Sequence, residues 1–214
     1  MKTFIHLRQY SNYSLLESSF RIKEIINLCI EQCMPAIALT DKQNLFGAFE
    51  FSLEAQKKGI QPILGINLEL KKLDNLELPS NILLLIKNYE GYKNVINLMS
   101  KHFSNDENNL INFNDLQMNN EGIICLSGGA EGPIGKSLLF KNIATAQEIL
   151  MNLNTIYKDN FFIELTRSGL NDEKKTENFF LSSANKFNIP VVATNNNYFS
   201  NTNMHEATDA LSCI

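Results

Sequence analysis

Residues 35–67 read PAIALTDKQNLFGAFEFSLEAQKKGIQPILGIN, and their punctuation decides the fold. Residues 35–39 are a short apolar run, as in a strand covered on both faces, and the run ends in Thr40-Asp41. Residues 45–58 carry a helical pattern that closes on Lys57-Lys58, two cations at the negative end of the helix dipole. Gly59 stands where a helix stops in left-handed backbone. Residues 60–70 form a second, longer strand with Pro62 near its start. Strand, helix and strand in this order make a βαβ unit with parallel strands.

The same alternation extends in both directions. Residues 3–9 (TFIHLRQ) predict a strand, and 20–33 predict a helix with Ile22, Ile25, Ile26, Cys29, Ile30 and Cys33 along one stripe. Residues 71–80 predict a polar turn or hairpin, 81–87 (NILLLIK) a buried strand and 89–103 an amphipathic helix. The Asn- and Asp-rich stretch 104–120 predicts a surface loop with at most a short turn of helix. Strands at 122–127, 160–166 and 190–195 alternate with helices within 136–157 and at 172–187, and a last helix begins at 203. Seven strands, nearly all followed by helices, predict parallel βα units in a closed or nearly closed barrel. A doubly wound open sheet is the rival, and periodicity does not separate the two.

Composition narrows the function classes. The chain has 214 residues, 44% of them hydrophobic, and a formal net charge of −4. This is a globular composition, and a basic nucleic-acid clamp over the whole surface is excluded. No run approaches the roughly 18–20 apolar residues of a membrane span. The opening residues lack the apolar stretch of a secretory signal, and four Cys without disulfide-dense spacing read as reduced thiols, so a cytoplasmic protein is expected. Asn is in marked excess and Lys outnumbers Arg by 16 to 3, the skew that AT-rich coding produces. The chain stops within a helical pattern, MHEATDALSCI, which reads as a piece of a longer polypeptide; a natural terminus docked on the fold is the alternative.

In parallel βα folds the working groups lie at the C-terminal ends of strands. That rule selects Arg8, Tyr10, Ser11 and Glu17 after the first strand, and Thr40, Asp41 and Lys42 after the second. It also selects Gly65 and Asn67 in the third, Glu164 to Arg167 in the sixth, and Asn195, Asn196 and Tyr198 after the seventh. The set is polar but poor in metal ligands, since a two-metal hydrolytic site needs several His and carboxylates. Other features read as structural: His6 as a hydrogen-bonded strand residue, Cys29 and Cys33 as small core residues, and GGAEGPIG as a turn lacking the Lys-Ser/Thr of a phosphate loop. His205-Glu206 is half a zincin motif without its second His.

FIHLRQYSNYSLLES, ALTDKQNLFGAFEF, KKGIQPILGIN, ILLLIKNYEGYKNVINLMS, GIICLSGGAEGPIG, FFIELTRSG and IPVVATNNNYF occur in that order. This order resembles the PHP (polymerase and histidinol phosphatase) domain, specifically the one that opens bacterial DNA polymerase III alpha subunits. The resemblance covers almost all of residues 3–214. It implies an α/β fold, a distorted seven-stranded (βα) barrel of PHP type, with polymerase palm, thumb and fingers following beyond residue 214.

The resemblance also implies where metal ligands stand in active members. The first-strand His-x-His pair falls on Arg8 and Tyr10, and the acidic residue after it on Glu17. The Thr-Asp-His turn reads Thr40-Asp41-Lys42, the Gly-x-Glu turn ends in Asn67, and a His that opens strand four falls on Asn81. The Asn-Asp-x-His motif of strand seven reads Asn195-Asn196-Asn197-Tyr198, and the strand-six ligand lies near Glu164. These are the positions of a vestigial metal cleft, with no bound metal and no catalytic residue expected. Arg8 and Lys42 are expected to fill it by pairing with Glu17 and Asp41. By resemblance the domain is structural, a docking surface for the separate proofreading exonuclease, with little direct DNA contact. DNA-directed DNA synthesis, with Mg²⁺, belongs to the full-length polypeptide. The alternative is a metal-dependent phosphoesterase or 3′–5′ exonuclease.

Overall fold

The computed structural model describes residues 4–70, 79–103 and 111–213. In chain order the elements are α1 (Ile22–Glu31), β1 (Ala36–Leu39), α2 (Ala48–Lys57), β2 (Gln61–Leu70), β3 (Ser80–Ile86), α3 (Tyr89–His102) and α4 (Phe113–Met118). They continue with β4 (Ile123–Leu126), α5 (Pro133–Leu139), α6 (Ile143–Tyr157), β5 (Phe161–Leu165), α7 (Asn171–Phe187), β6 (Val191–Ala193) and α8 (His205–Ser212). Two compact units result: Met1–Ile66 with Thr194–Ile214, and Asn67–Ala193. Most of the predicted turn at 71–80 and much of the predicted loop at 104–120 lie outside the described residues.

In the first unit β1 and β2 are parallel, with Ala36 opposite Gln61 and Leu39 opposite Leu64. All four residues of β1 are buried, as its unbroken apolar run requires. Helices α1 and α2 turn apolar residues inward, but the predicted α1 stripe ends at Cys29: Ile30 is 46% exposed, and Cys33, expected in the core, is exposed beyond the helix end. Ile22, Ile25, Ile26 and Cys29 meet Phe51 and Ala55 in one cluster with Ile37, Leu39 and Ile60. A cluster of this kind stabilises by roughly 1.5–3 kcal/mol for each fully buried large side chain.

Six strands form among the described residues, where the sequence predicts seven. The missing one is the first. His6 O accepts from Ala38 N–H at 2.8 Å and Gln9 O accepts from Thr40 N–H at 2.9 Å, so the segment advances three residues against two on β1. Such an extra residue is a bulge, and it interrupts the ladder. Gln9 N–H turns instead to the Thr40 hydroxyl at 3.1 Å. On its other side the segment forms one parallel bridge, Gln9 with Asn197.

In the second unit β4, β5 and β6 are parallel, but β3 and β4 are antiparallel, with Leu83 opposite Leu126 and Ile86 opposite Ile123. The expectation of parallel βα units throughout is therefore corrected. Apolar runs such as NILLLIK are buried on both faces and carry no directional signal. Direction is set by the excursion through α3 and α4, which returns to the end of β3 that it left: Lys87 N–H donates to Gly122 O at 2.8 Å. A backbone contact permits this return. A Cβ on Gly91, in the first turn of α3, would lie 1.9 Å from Gly122 O.

The Asn excess is partly structural. Asn88, Asn112 and Asn142 cap the N-termini of α3, α4 and α6 with their side chains, and Asn188 ends α7 in left-handed backbone at φ 52°. Each such N-cap contributes about 1 kcal/mol.

Gly91→Ala tests the backbone contact. It is expected to destabilise the protein by about 2 kcal/mol or more, as overpacking against rigid backbone does, read as a lowered midpoint in urea unfolding.

Candidate functional site

The strand-end residues divide between the two units. Arg8, Tyr10, Glu17, Asp41, Lys42, Asn196 and Tyr198 belong to the first, and Asn67, Asn81 and Glu164 to the second.

Asp41, just beyond β1, is the centre of the first group and is 2% exposed. Its carboxylate accepts three hydrogen bonds: from Ser11 N–H at 2.6 Å, from the Ser11 hydroxyl at 2.7 Å and from the Ser14 hydroxyl at 2.7 Å. Ser14 Oγ in turn accepts from Lys42 N–H at 3.1 Å. The expected ion pair to Asp41 is replaced by these serine donors, whereas Lys42 does pair with Glu17. Burial raises the Asp41 pKa, and the serine hydrogen bonds oppose that rise without cancelling it. Ser11 stood among the strand-end residues in sequence, but Ser14 did not. Its only signal is its place three residues after Ser11, in the turn that faces Asp41.

Arg8 is 2% exposed, and its Nη1 donates to the Tyr10 hydroxyl at 3.2 Å. The Tyr10 ring is fully buried and stacks on Tyr198, with centroids 4.6 Å apart and planes 8° from parallel. The segment carrying Tyr198 is pinned to the N-terminal segment. Ser18 Oγ–H donates to Tyr198 O at 2.8 Å, and Asn197 Nδ2–H donates to His6 Nδ1 at 2.8 Å. That bond needs a neutral imidazole, and burial lowers the His6 pKa in the same sense. His6 thus has the structural role that its strand position predicts.

Asn196 is half-buried, and its Oδ1 lies buried without a hydrogen-bond partner. A cleft of about 370 Å³ is lined by Glu17, Tyr198, Phe199, His205, Thr208 and Asp209. Of these, sequence reasoning singled out Glu17 and Tyr198 as candidates. His205 stood in sequence only as half of a zincin motif, and Phe199, Thr208 and Asp209 carry no spacing that marks them.

In the second unit Glu164 lies fully buried on β5. Its carboxylate accepts from Gly128 N–H at 3.0 Å, and its own N–H donates to Ser127 Oγ at 3.0 Å. Gly128 has φ +83°, and a Cβ there would lie 2.1 Å from Asn81 O, so this turn admits only glycine. Because β3 runs against β4, its first residues, Asn81 among them, stand at the same edge as the end of β4. Asn67 is buried in β2, 1% exposed.

Among the described residues no group of three His, Cys, Asp or Glu side chains converges as metal ligands. The donor chemistry does not suit a transition metal either. Arg8 and Lys42 bring cations, Asn67 and Asn81 are weak amide donors, and both Asp41 oxygens already accept from serines.

These features define an α/β domain with buried polar groups at the strand ends of each unit. The PHP domain family matches residues 6–168, and the chain belongs to that family. It is 42% identical to DNA polymerase III subunit alpha of Rickettsia bellii over 214 residues, which is 99% of this chain and 18% of that protein. It is 34% identical to the corresponding subunit of Haemophilus influenzae over 206 residues, again 18% of that protein. The chain therefore spans less than a fifth of the length of these relatives.

Two solved structures share the fold at low identity. One is an amidohydrolase from Chromobacterium violaceum with bound sulfate and no metal, at TM-score 0.57 and 11% identity, covering 91% of this chain and 87% of that one. The other, described as a metal-dependent phosphoesterase, is from Bifidobacterium adolescentis, at TM-score 0.58 and 9% identity, covering 94% and 90%.

The Asp41 network gives a pH-dependent prediction. A carboxyl whose pKa is raised on folding adds stability below its unfolded value, about 3.9, and loses it as pH rises through the folded value. Urea unfolding of the protein and of Asp41→Asn should therefore show the wild type gaining relative to the variant as pH falls from 7 toward about 4. An ion-paired Asp41 would give the opposite slope.

Proposed function

We propose that this chain is the PHP portion of the alpha subunit of a bacterial DNA polymerase III, and that the portion is catalytically silent. One observation carries the silent role: the buried Asp41 carboxylate is held by Ser11 and Ser14, while Arg8, Tyr10, Lys42, Asn67, Asn81 and Tyr198 stand where the resemblance puts metal ligands. Its work is then structural. It supports the subunit and offers a docking surface to the separate proofreading exonuclease. The similarity to alpha subunits over 99% of the chain supports the placement in that polypeptide.

On this assignment DNA-directed DNA synthesis and its Mg²⁺ belong to the full-length polypeptide, with DNA bound outside this portion. A local net charge of −4 agrees with little direct DNA contact here. No helix among the described residues is long and apolar enough to cross a membrane. A cytoplasmic location follows from the replication role.

Metal analysis and a phosphoesterase assay test the silent role on one sample. Purified protein is expected to hold Zn, Mn and Fe well below stoichiometry and to leave a nitrophenyl phosphate ester intact. Stoichiometric metal together with hydrolysis would establish a metal-dependent phosphoesterase instead.

A further inference from the structure

A cleft of about 500 Å³ in the second unit has no role in the account above. It lies at the starts of β4 and β5, where Gly122 and Asn160 line it together with residues from α4 and from the end of α6. Glu164 stands near the other end of β5, so the cleft is separate from the strand-end groups. Glu121, Lys158 and Asp159 border it, and among the described residues none of the three forms an ion pair. Exposed charges elsewhere meet within one helical turn, as Lys57 does with Glu54 at 2.8 Å and Lys175 with Asp172 at 2.7 Å. Around this cleft, charges of both signs stay open.

The walls are braced, and one is strained. Lys158 has φ 50° and ψ −123°, values that a non-glycine residue adopts at a cost, and its N–H donates to Asn154 O. Asn120 Nδ2–H donates to Ile156 O at 3.1 Å, Asn94 Nδ2–H to Glu121 O at 2.9 Å, and Lys87 Nζ–H to Asn160 Oδ1 at 2.9 Å. The charged groups are thus carried on fixed backbone, which lowers the entropy lost on binding. Two further polar groups are unused among the described residues. Gln117 makes no side-chain hydrogen bond there, and Tyr157, which lines the cleft at 3% exposure, has a buried hydroxyl without a partner. A buried polar group left unpaired calls for an account.

The lining selects a ligand by its chemistry. Two carboxylates against one ammonium disfavour a phosphate ester or a nucleic acid. Apart from Ile156 and Tyr157 the lining side chains are polar, which disfavours an apolar ligand. An uncharged polyol would use none of the three open charges. A molecule with a carboxylate, an ammonium group and an amide between them uses them all. The side-chain amides of Gln117 and Asn120 offer a donor and an acceptor together, the complement of a peptide group. The volume lies within the range of small-ligand sites, roughly 300–1,000 Å³.

We propose that this cleft binds a short zwitterionic peptide, its carboxylate held by Lys158, its ammonium group by Glu121 and Asp159, and its peptide group by Gln117 and Asn120. The site is independent of the polymerase assignment.

The test is ligand-observed saturation-transfer NMR on the whole protein with glycylglycine as the probe, beside free glycine, N-acetyl-glycylglycine and inorganic phosphate. The variants are Lys158→Gln and Asp159→Asn, both at exposed positions, with thermal midpoints measured to show that they fold. Glycylglycine is expected to bind, and each variant to weaken it about tenfold or more, the loss of one hydrogen bond to a charged group. Asp159→Asn is expected to leave N-acetyl-glycylglycine unchanged, because that probe has no ammonium group to lose. Absence of saturation transfer to glycylglycine would overturn the site. So would binding that neither variant weakens, or binding of phosphate in its place. Free glycine binding as tightly as glycylglycine would overturn the role of the peptide group.

Discussion

The buried carboxylate of Asp41 is the constraint on which the first unit depends. A charge taken out of water costs several kcal/mol unless fixed dipoles or counter-charges replace its hydration. Here two serines supply three donors, one of them a main-chain N–H. Hydrogen bonds to a charged group contribute about 1.5–3 kcal/mol each, so three offset most of that cost. The raised pKa of Asp41 shows that burial still outweighs them. The same bonds fasten the loop after the bulged first segment to the turn after β1.

Glu164 repeats this logic in the second unit with different donors. Its oxygen takes Gly128 N–H, and its backbone is held by Ser127 Oγ. The tie requires glycine at 128, because the backbone of Asn81 leaves no room for a Cβ. Each unit thus encloses a buried acid whose carboxylate accepts a main-chain N–H from a turn.

Much of the fold was legible because its signals are local. The apolar run of β1, the first turns of the α1 stripe and Gly59 after α2 each report on a few neighbouring residues, and the elements formed where those signals stand. The misses have a shared cause. The bulge at residues 6–9 depends on which carbonyl faces Ala38 and Thr40, and the reversal of β3 against β4 depends on Gly91 lying on Gly122. Neither contact leaves a periodic trace. At the site, the buried polar residues at the strand ends could be named in advance, but their partners could not. Serines 11 and 14 look like any loop serines until Asp41 lies 2.7 Å from their hydroxyls.

Sequence by itself determined the α/β class, the places of the helices and nearly all the strands, and the ordered blocks that mark the PHP family. It did so because residue spacing encodes burial, and burial selects helix or strand. Tertiary structure alone decided the reversal of β3 against β4, the two-unit division and the serine donors of the buried Asp41. Those outcomes depend on residues distant in the chain arriving within about 3 Å of one another, a geometry that no local pattern carries.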